Sequence, residues 1–419
     1  MAHKKPGYDF TVYACYVGYL LQAVVVNVSP LLFIPLREQF GFSFSQLGML
    51  VLANFITQLS CDLLFSNAVD KKGFRPFALA APVFATLGLV VFSLAPILFP
   101  ANPYAGLFLG TLLFSGSGGL LELLLSPIVN ALPLAPEKKS SVMSFVHAAY
   151  SWGQVAVVLI TTLLLWSLGT DKWQWIVLFW CLPALVSFCM FLRAPFAPGV
   201  PEQKRQPFKE VAKSRVFLLC FISILTAGAA ELVVGQWASS FVEKALGVTK
   251  AIGDVIGVCA FAAAMGLGRV LHGRFGAGKD IIKILRIDFF ALILCYLVIA
   301  FAPGTVLPLL AIIASGFAVA ITWPSMLVVA AEHFPLAGAR LFAILAVAGD
   351  SGCSLGPSLA GKVMDISAEL PLFHKLAEKA GLAVEQLSLR AGMLVGVIFS
   401  LVGFIVLEML YQKKKKQSL

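Results

Sequence analysis

The sequence predicts an all-α membrane protein: twelve transmembrane helices in two pseudo-symmetric six-helix bundles. Three observations predict it. Of the 419 residues, 59% are hydrophobic and only 12% are charged, about half the charged share of a soluble domain. Mean hydropathy is +0.92. The apolar residues fall into long runs separated by short polar connectors, and about 20 apolar residues suffice for one helix to cross a bilayer core. Such a chain is neither a soluble enzyme, nor disordered, nor a secreted disulfide scaffold. The runs are also too long for outer-membrane barrel strands, which alternate over about ten residues.

Run length and intervening breakers place the spans at roughly 12–36, 45–68, 77–99, 104–131, 141–167, 173–193, 216–242, 250–272, 281–302, 305–332, 340–365 and 391–411. The connectors hold charges and turn formers, as in Asp70-Lys71-Lys72-Gly73, Pro136-Glu137-Lys138-Lys139 and Gly276-Ala277-Gly278-Lys279. With the N-terminus inside, the inner segments carry 23 of the 31 Lys and Arg residues. Lys and Arg accumulate on the cytoplasmic side, so both termini are expected there, in a multi-pass protein of the cytoplasmic (inner) membrane. Residues 1–9 are polar and no cleavable signal is apparent, so the first apolar run is expected to remain as a span. The run Lys413–Lys416 reads as a basic tail near anionic headgroups. The net charge of +10 is therefore a topology signal, and the lipid bilayer rather than nucleic acid is the expected partner. The eight cysteines form no CxxC pair and each lies in or beside an apolar run. They read as small buried hydrophobes, and neither a metal site nor a cofactor is expected.

Residues 194–215 are Pro-rich and basic. They read as a cytoplasmic linker between an N-terminal bundle, 1–193, and a C-terminal bundle, 216–411, with 412–419 as the tail. Internal echoes support duplication: Ser115-Gly116 precedes Ser315-Gly316 by 200 residues, and both spans run on to a proline, Pro127 or Pro324. Such repeats favour a central site between two bundles. An outer connector, about 366–390, carries an amphipathic turn pattern at Leu372, Leu376 and Leu382.

A charge at mid-membrane costs roughly 2.5–3.5 kcal/mol on insertion scales, so an ionisable residue there marks function. The candidates are Asp62, Glu122, His147, Glu231 and Asp350, with Glu122, Glu231 and Asp350 near mid-depth, and no Arg or Lys is expected at comparable depth. That asymmetry disfavours an anionic cargo, and carboxyls in oil can be proton carriers because desolvation disfavours the anion. Gln22, Asn27, Tyr150, Trp152, Gln154, Gln236, Trp237 and Trp323 share this depth. Aromatic faces with amides suit a sugar, the rings meeting C–H groups and the amides meeting hydroxyls. Helix–helix packing is the competing explanation for each of them.

The connector Ser66-x-x-x-Asp70-Lys71-x-Gly73-x-Arg75 resembles the signature loop of the major facilitator superfamily, with Ser66 in place of its first glycine. In it, Asp70 can face a helix N-terminus while Lys71 and Arg75 anchor at headgroups, so Asp70, Lys71, Gly73 and Arg75 are gating candidates. Gly268-Arg269-x-x-x-Gly273-Arg274-x-Gly276 echoes the loop in the second half. The stretch Gly116-x-Gly118-Gly119-x-x-Glu122-x-x-x-Ser126-Pro127 resembles span four of the fucose–proton symporter family, with Ser126 where that family has Asn. Ser144-Phe145-x-His147-Ala148-x-Tyr150-x-x-Gly153 is similar to its span five, and Glu231-x-x-x-Gly235-x-Trp237 to span seven of many relatives. Trp323-Pro324 stands where relatives often have an aromatic before proline. Asn27-Val28-Ser29-Pro30 lacks the span-one Asp that sugar symporters of the family can carry.

The resemblance implies a monomeric secondary transporter that moves a small neutral polar solute, most readily a sugar, by proton symport through alternating access. Glu122 would bind and release the proton, with Glu231 and Asp350 as further proton-coupling candidates. Gln22, Asn27, Glu122, Tyr150, Gln154, Glu231, Gln236, Trp237 and Trp323 are the candidate solute contacts. The alternatives are a proton-coupled exporter of lipophilic compounds or another metabolite, and a non-transporting sensor of the same fold. There is no HExxH, GxSxG or Walker sequence, so neither an enzyme nor ATP drive is expected.

Overall fold

The computed structural model describes residues 7–42, 44–200, 206–249 and 253–417. Lys4 and Lys5, the linker residues 201–205 with Lys204 and Arg205, Lys250, and residues 418–419 lie outside the described residues, as do the side chains of Arg37, Glu137 and Lys414 to Lys416. Regular structure among the described residues is entirely helical. Eleven helices are long and apolar enough to cross a membrane. The spans are α1 (Tyr8–Leu31), α2 (Phe44–Lys72), α3 (Arg75–Ser93), α4 (Pro103–Ala131), α5 (Pro136–Leu168), α6 (Trp173–Phe179 with Cys181–Arg193), α7 (Arg215–Ser240), α8 (Phe261–Phe275), α9 (Ile281–Phe301), α10 (Val306–Val319 with Thr322–His333), α11 (Ala339–Glu369) and α12 (Val384–Gln417). The eighth span, absent from those eleven, is α8 together with the wider π turns of Gly253–Ala260 before it.

Proline explains two departures from the expected spans. It has no N–H to give the carbonyl four residues back. Span one therefore stops at Leu31, four residues before Pro35, and resumes as a separate helix, Phe33–Phe40. Likewise α10 breaks at Ala320–Ile321, with Ala320 four residues before Pro324. By contrast, α4 runs unbroken through Pro127, so the matching prolines of the two halves bend their helices differently. The outer connector is more ordered than a turn: Pro371–Ala380 is a helix, closed by Gly381 at φ +66°.

The chain forms two compact units, one of residues 1–208 and 335–346, the other of 209–334 and 347–419. In the first, α4 packs on α1, α2 and α3, α1 packs on α5 and α6, and α3 on α6. In the second, α10 packs on α7, α8 and α9, and α12 packs on α7 and α9. Each second-unit pair repeats a first-unit pair six helices earlier, which is the internal symmetry the sequence echoes suggested.

Small residues permit these approaches. A β-carbon on Gly110 of α4 would sit 2.6 Å from the Phe92 backbone nitrogen of α3, and one on Gly356 of α11 would sit 2.7 Å from the Ala229 carbonyl of α7. In lipid, where tails are as apolar as Leu, close van der Waals packing of this kind holds helices together.

Candidate functional site

In the first unit, the glycines of α4 position the acids. A β-carbon on Gly119 would lie 2.6 Å from Cβ of Cys61 and 2.8 Å from the Gln58 backbone. Gly118 similarly faces the Gln58 amide. Only bare backbone lets α2 come this near. Asp62 follows Cys61 and Glu122 lies one turn past Gly119, so the approach brings them together, with carboxylate oxygens within 4.8 Å. Asp62 is fully buried and Glu122 half-buried. From α1, buried Gln22 points its amide at Glu122, with Nε2 3.5 Å from Oε2. Counting from Ala131 at about 1.5 Å per residue, Glu122 is about 14 Å along α4 from that end, close to mid-core.

One helical turn along α1 and α4 lies a second polar layer. The Tyr19 hydroxyl lies 2.9 Å from His147 Nε2 and 3.0 Å from Ser126 Oγ, and Ser126 Oγ lies 3.2 Å from the same nitrogen. All three side chains are buried. The triangle joins α1, α4 and α5, and each side gives a buried polar atom a partner. A further stripe runs down α2: Asn54, Gln58, Asp62 and Ser66 are buried, four residues apart, and the same step reaches Asp70. Residues at i and i+4 share a helix face, so this is one polar edge.

At the end of that edge, Asp70 Oδ1 accepts the backbone N–H of Ala339 at 2.8 Å. Ala339 opens α11, whose first amide groups have no partner within the helix, so a carboxylate there is favourable. Arg75 donates to the carbonyls of Leu192 and Ala194 at 2.7 and 3.4 Å, where α6 ends. Lys71 is exposed. Gly73 ends α2 at φ +78°, its N–H bonded to the Val69 carbonyl. Its β-carbon would meet nothing within 4 Å, so only backbone strain opposes substitution. Gly73→Ala is therefore expected to cost about 1 kcal/mol, read as a lower melting temperature in detergent without loss of the folded monomer.

The second unit holds an unexpected cation. Arg269 is 4% exposed within α8, inside the stretch 250–272 expected to span. Gly268 lets α10 approach, and the α10 break leaves the Ala320 carbonyl without its helical donor. Arg269 Nε supplies one at 2.8 Å. The same guanidinium acts electrostatically on Glu231, which is half-buried on α7. No Arg or Lys was expected as deep as Glu122; Arg269, near the end of α8, is nonetheless buried inside the second unit, its guanidinium held by a carbonyl.

The remaining candidates divide by unit. In the first, Asn27 is half-buried and turns its amide back to the Ala23 carbonyl at 2.8 Å, while Tyr150 and Gln154 are half-buried on α5 and Trp152 is exposed. In the second, Asp350 is half-buried on α11, Trp323 packs on Gly349, Trp237 donates Nε1 to the Pro357 carbonyl at 3.1 Å, and Gln236 is exposed.

The sequence profile of the Major Facilitator Superfamily matches residues 15–357. The chain belongs to this superfamily. Among solved structures, this major facilitator is similar to the E. coli fucose:proton symporter, with 14% identity over 96% of this chain and 99% of that one and a TM-score of 0.74. It is also similar to a proton:xylose symporter solved with 6-bromo-6-deoxy-D-glucose bound, with 16% identity over 98% and 96% and a TM-score of 0.76. A third is the human organic anion transporter TETRAN, with 15% identity over 96% and 100% and a TM-score of 0.70. At such identities the likeness establishes a shared fold. The superfamily match makes this protein a membrane transporter and not an enzyme.

Two features of this major facilitator escaped the sequence reading. Asp288 sits on α9 with Oδ2 buried and without a hydrogen-bond partner; a lone acid in an apolar run was the available signal. Nearby in sequence, Arg286 pairs with Glu408 of α12 and lies 4.2 Å above the Tyr411 ring. The α2 stripe was visible in its spacing of four, but the sequence reading took Ser66 and Asp70 as part of the signature loop and Asp62 as an intramembrane acid, and passed over Asn54 and Gln58.

Proposed function

We propose that this major facilitator imports a small neutral polar solute, a sugar, by proton symport and alternating access. It would work as a monomer in the cytoplasmic membrane with both termini inside, as two six-helix bundles, 1–193 and 216–411, joined by the linker 194–215. The observation that carries this is Glu122 near mid-core on α4, set against the neutral amide of Gln22 and the carboxyl of Asp62. A carboxyl that is neutral when protonated and charged when not can carry a proton across a core where the bare charge is costly. Glu231 is the weaker choice, since Arg269 bears on it. Asp350 remains a second coupling candidate. The Asp70 contact to α11 supports Asp70, Lys71, Gly73 and Arg75 as the gating group.

Sugar as cargo is supported by the amides and aromatics at this depth, among them Gln22, Tyr150 and Gln154, and by the fold shared with the fucose and xylose symporters. The test is a melting-temperature screen of purified protein against sugars, polyols, nucleosides and organic acids. A ligand that binds only the folded state raises the melting point by mass action. A sugar or polyol is expected to do so. Stabilisation by organic acids alone would reverse the cargo assignment.

A further inference from the structure

We propose that the connector helix Pro371–Ala380 is a membrane-contacting element of the second unit, lying in the phospholipid headgroup layer with Leu372 and Leu376 inserted among the acyl chains. Its place in the chain puts it there. Helix α11 has 31 residues; at a rise of about 1.5 Å each that is about 46 Å, enough to cross the bilayer core and reach the headgroups. Leu370 alone, extended at φ −76° and ψ 126°, separates α11 from the connector helix. His374 Nε2 lies 3.0 Å from the Ala368 carbonyl and fastens the new helix to the last turn of α11. At its other end only residues 381–383 separate it from α12. A helix tied this closely to two spanning helices stays at the membrane surface.

The four sides of the helix match that position. At about 100° per residue, Phe373 and Ala377 share one side. Ala377 is 1% exposed and Phe373 half-buried, which marks the side packed on α12. About a quarter turn away stand Leu372 and Leu376, 61% and 44% exposed. Opposite these leucines are His374 and Glu378, both exposed. Lys375 and Lys379 take the side turned away from α12 and flank the leucines. With α12 at one side, the leucines point into lipid and His374 and Glu378 into water. The two lysines then reach sideways, where their stems cover apolar surface and their ammonium groups meet phosphates. Amphipathic helices of this pattern lie in the interface with the apolar face sunk by about 5–10 Å.

Lipid fits this face better than a protein partner. A stable protein interface takes roughly 800 Å² from each side, far more than two leucines on a ten-residue helix offer. The bilayer needs no such minimum, because it already surrounds the spans on either side.

The test is a contact measurement. Full-length protein carrying p-benzoylphenylalanine in place of Leu372, or in place of Glu378, is reconstituted in phosphatidylcholine vesicles, irradiated and weighed intact. Both side chains are exposed, so neither probe has to enter a packed core. The probe at 372 is expected to gain the mass of one phospholipid in at least fivefold more chains than the probe at 378. Equal lipid adducts at the two positions, or none at 372, would overturn the proposal. So would a crosslinked dimer through 372, which would give the leucines to a second copy. Should a probe variant fail to fold, Leu372→Cys and Glu378→Cys decide: in the same vesicles a water-soluble maleimide should modify the former at least tenfold more slowly, read by mass spectrometry of that segment, and equal rates would remove the lipid contact.

Discussion

Glu122→Gln is expected to abolish proton-driven accumulation of solute while counterflow continues. Gln has the size and shape of a protonated Glu but can neither release nor take up a proton. A permanently neutral side chain keeps the α4 residue compatible with the membrane core and with the facing Gln22 amide. Exchange of labelled for unlabelled solute moves no net proton, so it needs only that the neutral form bind and reorient. Net uptake against a gradient also needs the proton to leave. In vesicles under an imposed pH gradient, the accumulation ratio should therefore fall to unity while counterflow stays within about twofold of wild type, which is under 0.5 kcal/mol in the barrier. A variant that still concentrates solute would remove Glu122 from the coupling role. One that loses counterflow as well would show that Glu122 matters for binding or folding instead.

Gly119→Val is expected to have the largest effect on folding. Its first added carbon would overlap Cβ of Cys61 and the backbone of Gln58 at 2.6–2.8 Å, and backbone cannot rotate out of the way. Overpacking a well-filled contact costs typically 1–3 kcal/mol, occasionally more, and a branched side chain between two helix backbones belongs at the upper end, about 3 kcal/mol or beyond. The yield of monodisperse protein in detergent should collapse, and any folded remainder should melt well below wild type. The control is Gly116→Ala on the same helix, where an added carbon meets nothing within 4 Å and melting should hardly change. Normal folding and transport by Gly119→Val would mean that α2 does not need its close approach to α4.

The difference between those glycines shows how far the sequence could be read. Gly116, Gly118 and Gly119 stand together in one motif, and Ser115-Gly116 echoes Ser315-Gly316. Yet a β-carbon on Gly116 would meet nothing within 4 Å, whereas one on Gly316 would run into the Phe261 carbonyl. Helical periodicity says which residues share a face, but not which neighbouring helix meets that face or how closely. Arg269 teaches the same lesson. Its place in a motif that echoes the signature loop says nothing of its partner, and only the carbonyl freed at the α10 break accounts for a guanidinium inside the unit.

Composition and run length alone determined an all-helical membrane protein, because a bilayer forces every spanning backbone to satisfy its own hydrogen bonds and so reduces the fold to apolar runs of countable length. The same physics singled out the intramembrane acids, since a charge in hydrocarbon is too costly to be idle. Tertiary structure decided what those acids meet: Asp62 beside Glu122 and Gln22, and Asp70 on the first amide of α11. These pairings join residues far apart in the chain through bare glycine surfaces and proline-broken helices. Their geometry depends on ångström-scale packing that no local pattern encodes.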